Sequence, residues 1–392
     1  MTNLHVVRLE TPLREEFRQE LARRIYFLAE EIVEFDIDGS DGLLTEVRLS
    51  TRDTVEPEQL HRRLHTVIAN DIRHQRVGPA KVYWRSGHET PEVLAGFGRL
   101  CDEGLVVPMG EGQMALAEPL LTLMDTLDRH LVAMVRREAG AVRYRYPTLL
   151  PTETLRQCGY MSSFPQHLMF VTRLHGDSDT YAAFSRSDQV ALGENLLALC
   201  GNTDYCLPPT MCYHTFQQLS GRRLTEPAAV TARGKSFRHE SRYHEGLSRL
   251  WDFTIREMVF LGSYDYARQT RERIMRSACE LVDSWGLAAR CEVASDPFFA
   301  GAATAARISS QRLLELKFEL QLPIEGGRDI ACASFNFHDQ HFGDAFGITG
   351  ADDAPIHSAC VGFGLERLTL AVVSQHGTDP GAWPESLRPS DI

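Results

Sequence analysis

A chain of 392 residues with 43% hydrophobic and 24% charged side chains has the composition of an ordinary globular protein, with room for two domains. Its formal net charge of −12 argues against a broad non-specific nucleic-acid surface, though not against a local basic patch. No apolar run approaches the roughly 18 residues that span a bilayer, and Met1–Phe17 lacks a basic segment followed by an apolar one, so no membrane span or secretory leader is expected and the cytoplasm is the expected compartment. Nine scattered cysteines, an odd number, read as free thiols in a reducing compartment, with a few candidates for metal ligation.

Residues 1–86 predict a small α/β domain. Leu4–Glu10 reads as a strand, and Pro12 opens a helix to about Ala29 with Leu13, Phe17, Leu21, Ile25 and Leu28 on one face. Strands at Glu31–Ile37 and Leu43–Leu49 flank an Asp38–Gly42 turn; a second helix over Glu56–Ile72 and a last strand at Ala80–Trp84 follow. The order is β-α-β-β-α-β, the ferredoxin-like pattern, which hosts many functions. Residues 87–112 read as a connector with one short apolar piece, Leu105–Pro108.

A second domain is expected over residues 113–392. Leu116, Leu120, Leu123, Met124, Leu127, Leu131 and Val135 recur at helical spacing to about Glu138, and Gly140 stops the helix. This long helix suits a core element or a dimer interface equally. Val142–Tyr146 is a strand running into Pro147. Further strands are expected at His167–Val171, Tyr181–Phe184 and Leu207–His214, with a helix at Gln189–Cys200.

Gly234 to Gly262 then reads as two strands joined by a charged loop, Ser241–Ser248. The second strand alternates, with Leu250, Thr254 and Met258 on one face and Trp251, Phe253, Ile255 and Glu257 on the other. An arginine, a carboxylate and an aromatic ring on one hairpin suit a nucleotide: the guanidinium forks onto a phosphate, the carboxylate accepts from an exocyclic amine, the ring stacks on the base. An ordinary amphipathic hairpin with solvated charges fits the same residues.

Tyr264–Trp285 is an amphipathic helix with Arg268, Arg271, Arg273 and Arg276 expected mostly on its outer face. Strands follow at Arg290–Val293, Leu314–Leu322 and Asp329–Phe337, the last ending in the polar cluster Asn336, His338, Asp339 and His341. Pro355–Arg367 reads as a strand, two glycines and a helix to about Val373, with Gly364 and Arg367 near the helix start. Hairpins outnumber βαβ crossovers, so the fold class is α+β, an antiparallel sheet flanked by helices.

The Pro147 helix–strand element, the Phe237-Arg238-His239-Glu240 hairpin with Phe253, and Gly362-Phe363-Gly364-Leu365-Glu366-Arg367 resemble, in that order, the three signature motifs of class II aminoacyl-tRNA synthetases, over roughly residues 113–375. Within that class the chain resembles the zinc-containing, methanogen-type seryl-tRNA synthetases, and more closely their short relatives, the amino acid:[carrier protein] ligases. That resemblance rests on Gly159-Tyr160 with Ser163-Phe164-Pro165, Pro209 to Tyr213, Ser295 to Phe299, and Ser334 to His338 through His341-Phe342-Gly343.

The resemblance implies a set of roles. Cys212, Glu257 and Cys360 match the family's Zn2+ ligands and, with Ser334 and Asn336, would bind the amino acid. Arg238, Glu240, Arg249, Phe253, Gly364 and Arg367 would hold ATP, and Glu319 would carry Mg2+; Arg238, Arg367 and Glu319 would form the catalytic set. A carboxylate often precedes the Ser-Asn pattern in seryl-tRNA synthetases, whereas Ala331-Cys332-Ala333 stand here, so a second protein ligand for Mg2+ is not apparent. The implied reaction adenylates glycine, alanine or serine and passes it to the phosphopantetheine thiol of an acidic carrier protein, from a homodimer. The Arg268, Arg271 and Arg276 face is a candidate carrier dock, or simply a solvated helix face with Glu272 and Glu280 balancing part of it. Residues 1–86 contain no long heptad pair of the kind that grips tRNA in common seryl-tRNA synthetases, and with the acidic balance this makes tRNA the less favoured acceptor. A tRNA-charging enzyme and a catalytically retired paralogue acting as a binding module are the rival expectations.

Overall fold

A computed structural model describes residues 2–73, 81–186, 197–240, 245–294 and 315–389. The Ser295–Phe299 passage, most of the expected Gln189–Cys200 helix, positions 241–244 of the hairpin loop and Leu314 lie outside the described residues.

The N-terminal unit comprises β1 (Asn3–Arg14), α1 (Arg18–Ile25), β2 (Ile32–Ser40), β3 (Leu43–Thr51) and α2 (Pro57–Val67), which runs into a π-helical turn over Ile68–Ile72. Its antiparallel sheet has the order β1-β3-β2, and Leu21, Ile25, Val47, Leu49, Leu60 and Leu64 are buried in a core of its own. Two expectations fail here. Pro12 does not open a helix: β1 continues to Arg14, because the proline sits between Arg8 and Leu13, where the ladder with β3 is interrupted and no N–H is needed. The unit is also not a complete ferredoxin-like β-α-β-β-α-β fold. Its expected last strand, β4 (Val82–Arg85), pairs antiparallel with a strand of the other sheet, and Trp84 packs on that sheet's core.

The connector is structured, with α3 (Phe97–Asp102) and a hairpin of β5 (Val106–Gly110) and β6 (Gln113–Leu116). Next come α4 (Leu120–Ala139), ended by Gly140 at φ 59°, β7 (Val142–Tyr144), β8 (Leu150–Pro151), α5 (Thr152–Gln157), α6 (Tyr160–Ser163), β9 (Phe170–Leu174), α7 (Ser178–Arg186) and β10 (Cys200–Cys206). The expected strand at Tyr181–Phe184 is part of α7: four apolar-rich residues cannot fix a period, and Asp177 accepts from the Thr180 N–H, a helix-starting contact.

The chain continues through α8 (Cys212–Leu219), β11 (Ala228–Phe237), β12 (Asp252–Gly262), α9 (Tyr264–Ser284), β13 (Arg290–Val293), β14 (Lys317–Ile324), β15 (Arg328–Asp339), α10 (His341–Phe346), β16 (His357–Gly364) and α11 (Leu365–His376). The expected strand Leu207–His214 is a correction. Pro208 and Pro209 hold only the entry extended, and from Cys212 the buried Cys212, Tyr213 and Phe216 follow helical spacing.

The main sheet has the order β4-β13-β14-β15-β16-β12-β11-β7, antiparallel except for the β7–β11 edge pair. Helices α4, α9 and α11 cover one face and share its core. A second cluster, built around Phe216, Phe342 and Phe346 of α8 and α10, packs against part of the other face near Val259 and Cys360. Arg271 corrects the expectation for α9. It is 3% exposed, donates to the Glu315 and Leu316 carbonyls and lies 5.1 Å over the Phe318 ring, leaving only Arg268 and Arg276 of the proposed docking set on the exposed face.

Candidate active site

Register decides what the open face of the sheet displays. Met258, Val361, Phe335 and Phe318 stand side by side across β12, β16, β15 and β14 and are buried under the helices. Strand alternation therefore sends their neighbours the other way. One row on the open face is Glu257, Gly362, Ser334 and Glu319; the adjacent row holds Cys360, Asn336 and Lys317. Gly362 is required there: a Cβ would sit 2.9 Å from Ile255 Cδ1 and 3.4 Å from Glu257 Oε2.

Cys212, from the first turn of α8, reaches over this face to Glu257 and Cys360. One ligand atom from each of the three buried side chains lies within 4.8 Å of the others. Thr210 Oγ1 donates to Glu257 Oε2 at 2.7 Å, and Asn336 Nδ2 contacts Cys360 Sγ at 3.6 Å and Ser334 Oγ at 3.2 Å. Burial pushes the Glu257 carboxyl up to about 7, against the pull of Thr210 and Cys360. The Cys360 thiol is pushed up by its hydrogen bond with Cys212, by burial and by the Glu257 charge. Burial thus favours the protonated forms of Glu257 and Cys360; a divalent cation reverses that preference, and the donor set of Cys212, Glu257 and Cys360 with its outer contacts fits Zn2+.

The hairpin supplies the second half. Arg238 Nε donates to the Pro209 carbonyl at 3.1 Å, and its guanidinium carbon lies 5.5 Å over the Phe253 ring. Glu240, 8% exposed, accepts from Arg249 Nη1 at 3.0 Å. Burial works to raise the Glu240 carboxyl, but Arg249, with His167 and Arg238, brings it below its ordinary value. Arg367 donates to the Ser248 carbonyl at 2.7 Å and the Ala331 carbonyl at 3.1 Å; burial, then Arg249 and Arg238, lower it to about 10. The charges of Arg249 and Arg238 bear on the buried Arg367, and a polyanion seated among the three guanidiniums would relieve that repulsion. Gly364 ends β16 immediately before the helix that carries Arg367, and Glu366 accepts the Thr254 N–H.

Glu319 is paired with Lys317 at 2.9 Å and Gln321 at 3.0 Å. Its cross-strand neighbour is Glu292 of β13, a carboxylate not singled out from the sequence. Only strand pairing reveals that one. The Thr210 contact to Glu257 and the Pro209 contact to Arg238 were likewise invisible, because the loop that makes them meets the hairpin only in three dimensions.

No family model matches the chain. Amino acid:[acyl-carrier-protein] ligase 1 of Bradyrhizobium diazoefficiens is 36% identical over 272 residues, covering 68% of this chain and 82% of the relative. Ligase 2 of the same organism is 37% identical over 270 residues, covering 67% and 79%. This chain belongs to the amino acid:[acyl-carrier-protein] ligase family. The type-2 serine–tRNA ligase of Methanopyrus kandleri is 26% identical over 300 residues, 71% of this chain and 56% of that one. Among solved structures, M. kandleri SerRS in complex with A. aeolicus tRNASec superimposes with a TM-score of 0.70 at 21% identity, over 97% of this chain and 76% of that one. The fold is that of class II aminoacyl-tRNA synthetases, and its likeness extends over more of the chain than the sequence identity does.

Proposed function

We propose that this chain activates a small amino acid with ATP as an aminoacyl-adenylate and transfers it to a carrier protein. The observation that carries the reading is the convergence of Cys212, Glu257 and Cys360 on the sheet face beside the Arg238, Arg249 and Arg367 cradle. Zn2+ held by those three ligands would offer an open position to a neutral α-amine, selecting α-amino acids. Thr210 and Asn336 orient the ligands.

In the first step a substrate carboxylate oxygen attacks the α-phosphorus and pyrophosphate leaves. Anion meets polyanion, so the work of the protein is positioning and charge stabilisation. Arg238 neutralises the α-phosphate and the incoming carboxylate, Arg367 holds the γ-phosphate, Phe253 covers the base and Glu240 accepts from its amine. Glu240 keeps lone pairs for this beside its bond to Arg249. Mg2+ accompanies ATP; the neighbouring Glu319 and Glu292 are its candidate protein ligands. In the second step the phosphopantetheine thiol, as thiolate, attacks the acyl carbon and AMP leaves.

The relatives' names support a carrier as acceptor, and the exposed Arg268 and Arg276 suit an acidic partner. A homodimer belongs to the same reading: β7 is an edge strand with Val142 and Tyr144 exposed. The test supplies ATP, Mg2+, Zn2+ and labelled glycine, alanine or serine to the chain with either a pantetheinylated carrier or tRNA. Amino-acid-dependent pyrophosphate exchange and a hydroxylamine-labile label on the carrier are expected. Label on tRNA alone moves the chain to the tRNA-charging reading, favoured by the fold neighbour's bound tRNA; no exchange with any amino acid ends the enzymatic reading.

A further inference from the structure

Helix α2 carries His61 and His65 four residues apart, so both imidazoles leave the same face. Strand β1 brings Glu10 to that face within the stretch between Arg8 and Leu13, where its pairing with β3 shifts register. One ligand atom each of Glu10, His61 and His65 lies within 4.8 Å of the others. The two rings are 4.2 Å apart between centroids. His65 Nε2 sits 3.4 Å from the Arg8 carbonyl. A backbone carbonyl at one ring nitrogen is the outer contact that fixes the tautomer of metal-bound imidazoles and leaves the other nitrogen as the donor. The Arg8 side chain is drawn aside to Glu46, at 3.7 Å. Glu10 is exposed and both histidines are half-buried, so an ion and its waters have access.

Two imidazoles and one carboxylate suit a late first-row divalent ion; Mg2+ and Ca2+ prefer oxygen throughout. We propose that Glu10, His61 and His65 form a second metal site, for a divalent ion such as Zn2+, that pins β1 to α2 in the N-terminal unit. It is independent of the active-site reading: its donors are nitrogen and oxygen without sulfur, and they stand on β1 and α2, whose apolar residues pack in a separate core.

The test counts metal. Full-length chain without a histidine tag is stripped with a chelator, dialysed against micromolar Zn2+ and analysed for zinc by mass spectrometry. Two ions per chain are expected. His61→Ala with His65→Ala should leave one, with pyrophosphate exchange and far-ultraviolet dichroism unchanged. Glu10→Gln, the milder change, should weaken the second ion by at least the roughly tenfold that even outer-contact losses cause. Cobalt separates the sites, since only the cysteine site gives thiolate charge-transfer absorption, which the histidine changes should leave intact. Zinc content indifferent to the histidine and Glu10 changes overturns the proposal, whatever becomes of the cysteine site.

Discussion

Arg238 is where the two halves of the site meet: its Nε holds the Pro209 carbonyl, three residues before Cys212, while its guanidinium lies over Phe253. Arg238→Ala should lower pyrophosphate exchange by on the order of 10²–10³ or more, the usual effect of removing a charge-stabilising donor. Arg238→Lys should recover little, because an ammonium keeps the charge without the fork. Near-normal exchange in either variant would remove Arg238 from the chemistry. A second residue-scale expectation concerns acid. Burial, then His341 and Arg271, lowers His338 to about 3. The unfolded chain therefore binds an extra proton between about pH 6.5 and 3. Stability is fully present above that window and falls as pH drops, by up to about 1.4 kcal/mol per pH unit. His338→Gln should flatten the pH dependence of urea unfolding between pH 6 and 5; an unchanged slope would show that His338 is not the group. Arg238, Glu240 and Arg367 could be proposed from the sequence because they lie in contiguous motifs, and Phe253 because it follows on the same hairpin. Cys212, Glu257 and Cys360 have no informative spacing, and only the resemblance pointed to them.

At the scale of elements, β12 was readable because alternation over ten residues fixes both period and face, whereas the first hairpin strand, expected to carry Phe237 to Glu240, is β11 and ends at Phe237, so Arg238 to Glu240 lie beyond it. Cys212 was placed on a strand because two prolines mask a helix start, and β4 was placed in the wrong sheet because four residues carry no pairing information. Local pattern specifies an element; its partner is chosen by packing. The buried link between β12 and α4 shows the same limit. Arg256 points away from the active-site face and forks onto Asp128 at 2.6 and 2.7 Å, both side chains buried. Nothing in the spacing joins residues 128 and 256. Asp128→Ala would strand the guanidinium in the core and should cost about 3–5 kcal/mol in urea unfolding. The pair Asp128→Leu and Arg256→Met should recover most of that, since no charge is left unpaired. A single change costing under about 1 kcal/mol would mean that water reaches Arg256.

For the whole molecule, the question is where one folding unit ends. The sequence suggests a boundary after residue 86, but β4 is hydrogen-bonded to β13, Trp84 packs on the large core, and Tyr83 meets Phe318 edge-on at 5.7 Å. The N-terminal core, by contrast, is drawn from Val7 to Ile72. The N-terminal core therefore ends before β4, and we propose that the functional boundary does too. Deleting residues 1–73 should leave amino-acid-dependent pyrophosphate exchange within a fewfold of the full chain, because no residue of the arginine cradle or the Cys212, Glu257 and Cys360 cluster is removed. Deleting residues 1–86 takes away only thirteen more positions, yet it strips an edge strand from the sheet and uncovers the apolar surface beneath Trp84. That second deletion should melt several degrees lower and aggregate more readily, since a bare edge strand invites intermolecular pairing. Equal stability of the two deletions would restore the boundary after residue 86, and loss of exchange in the shorter deletion would make the N-terminal unit part of the catalytic machinery.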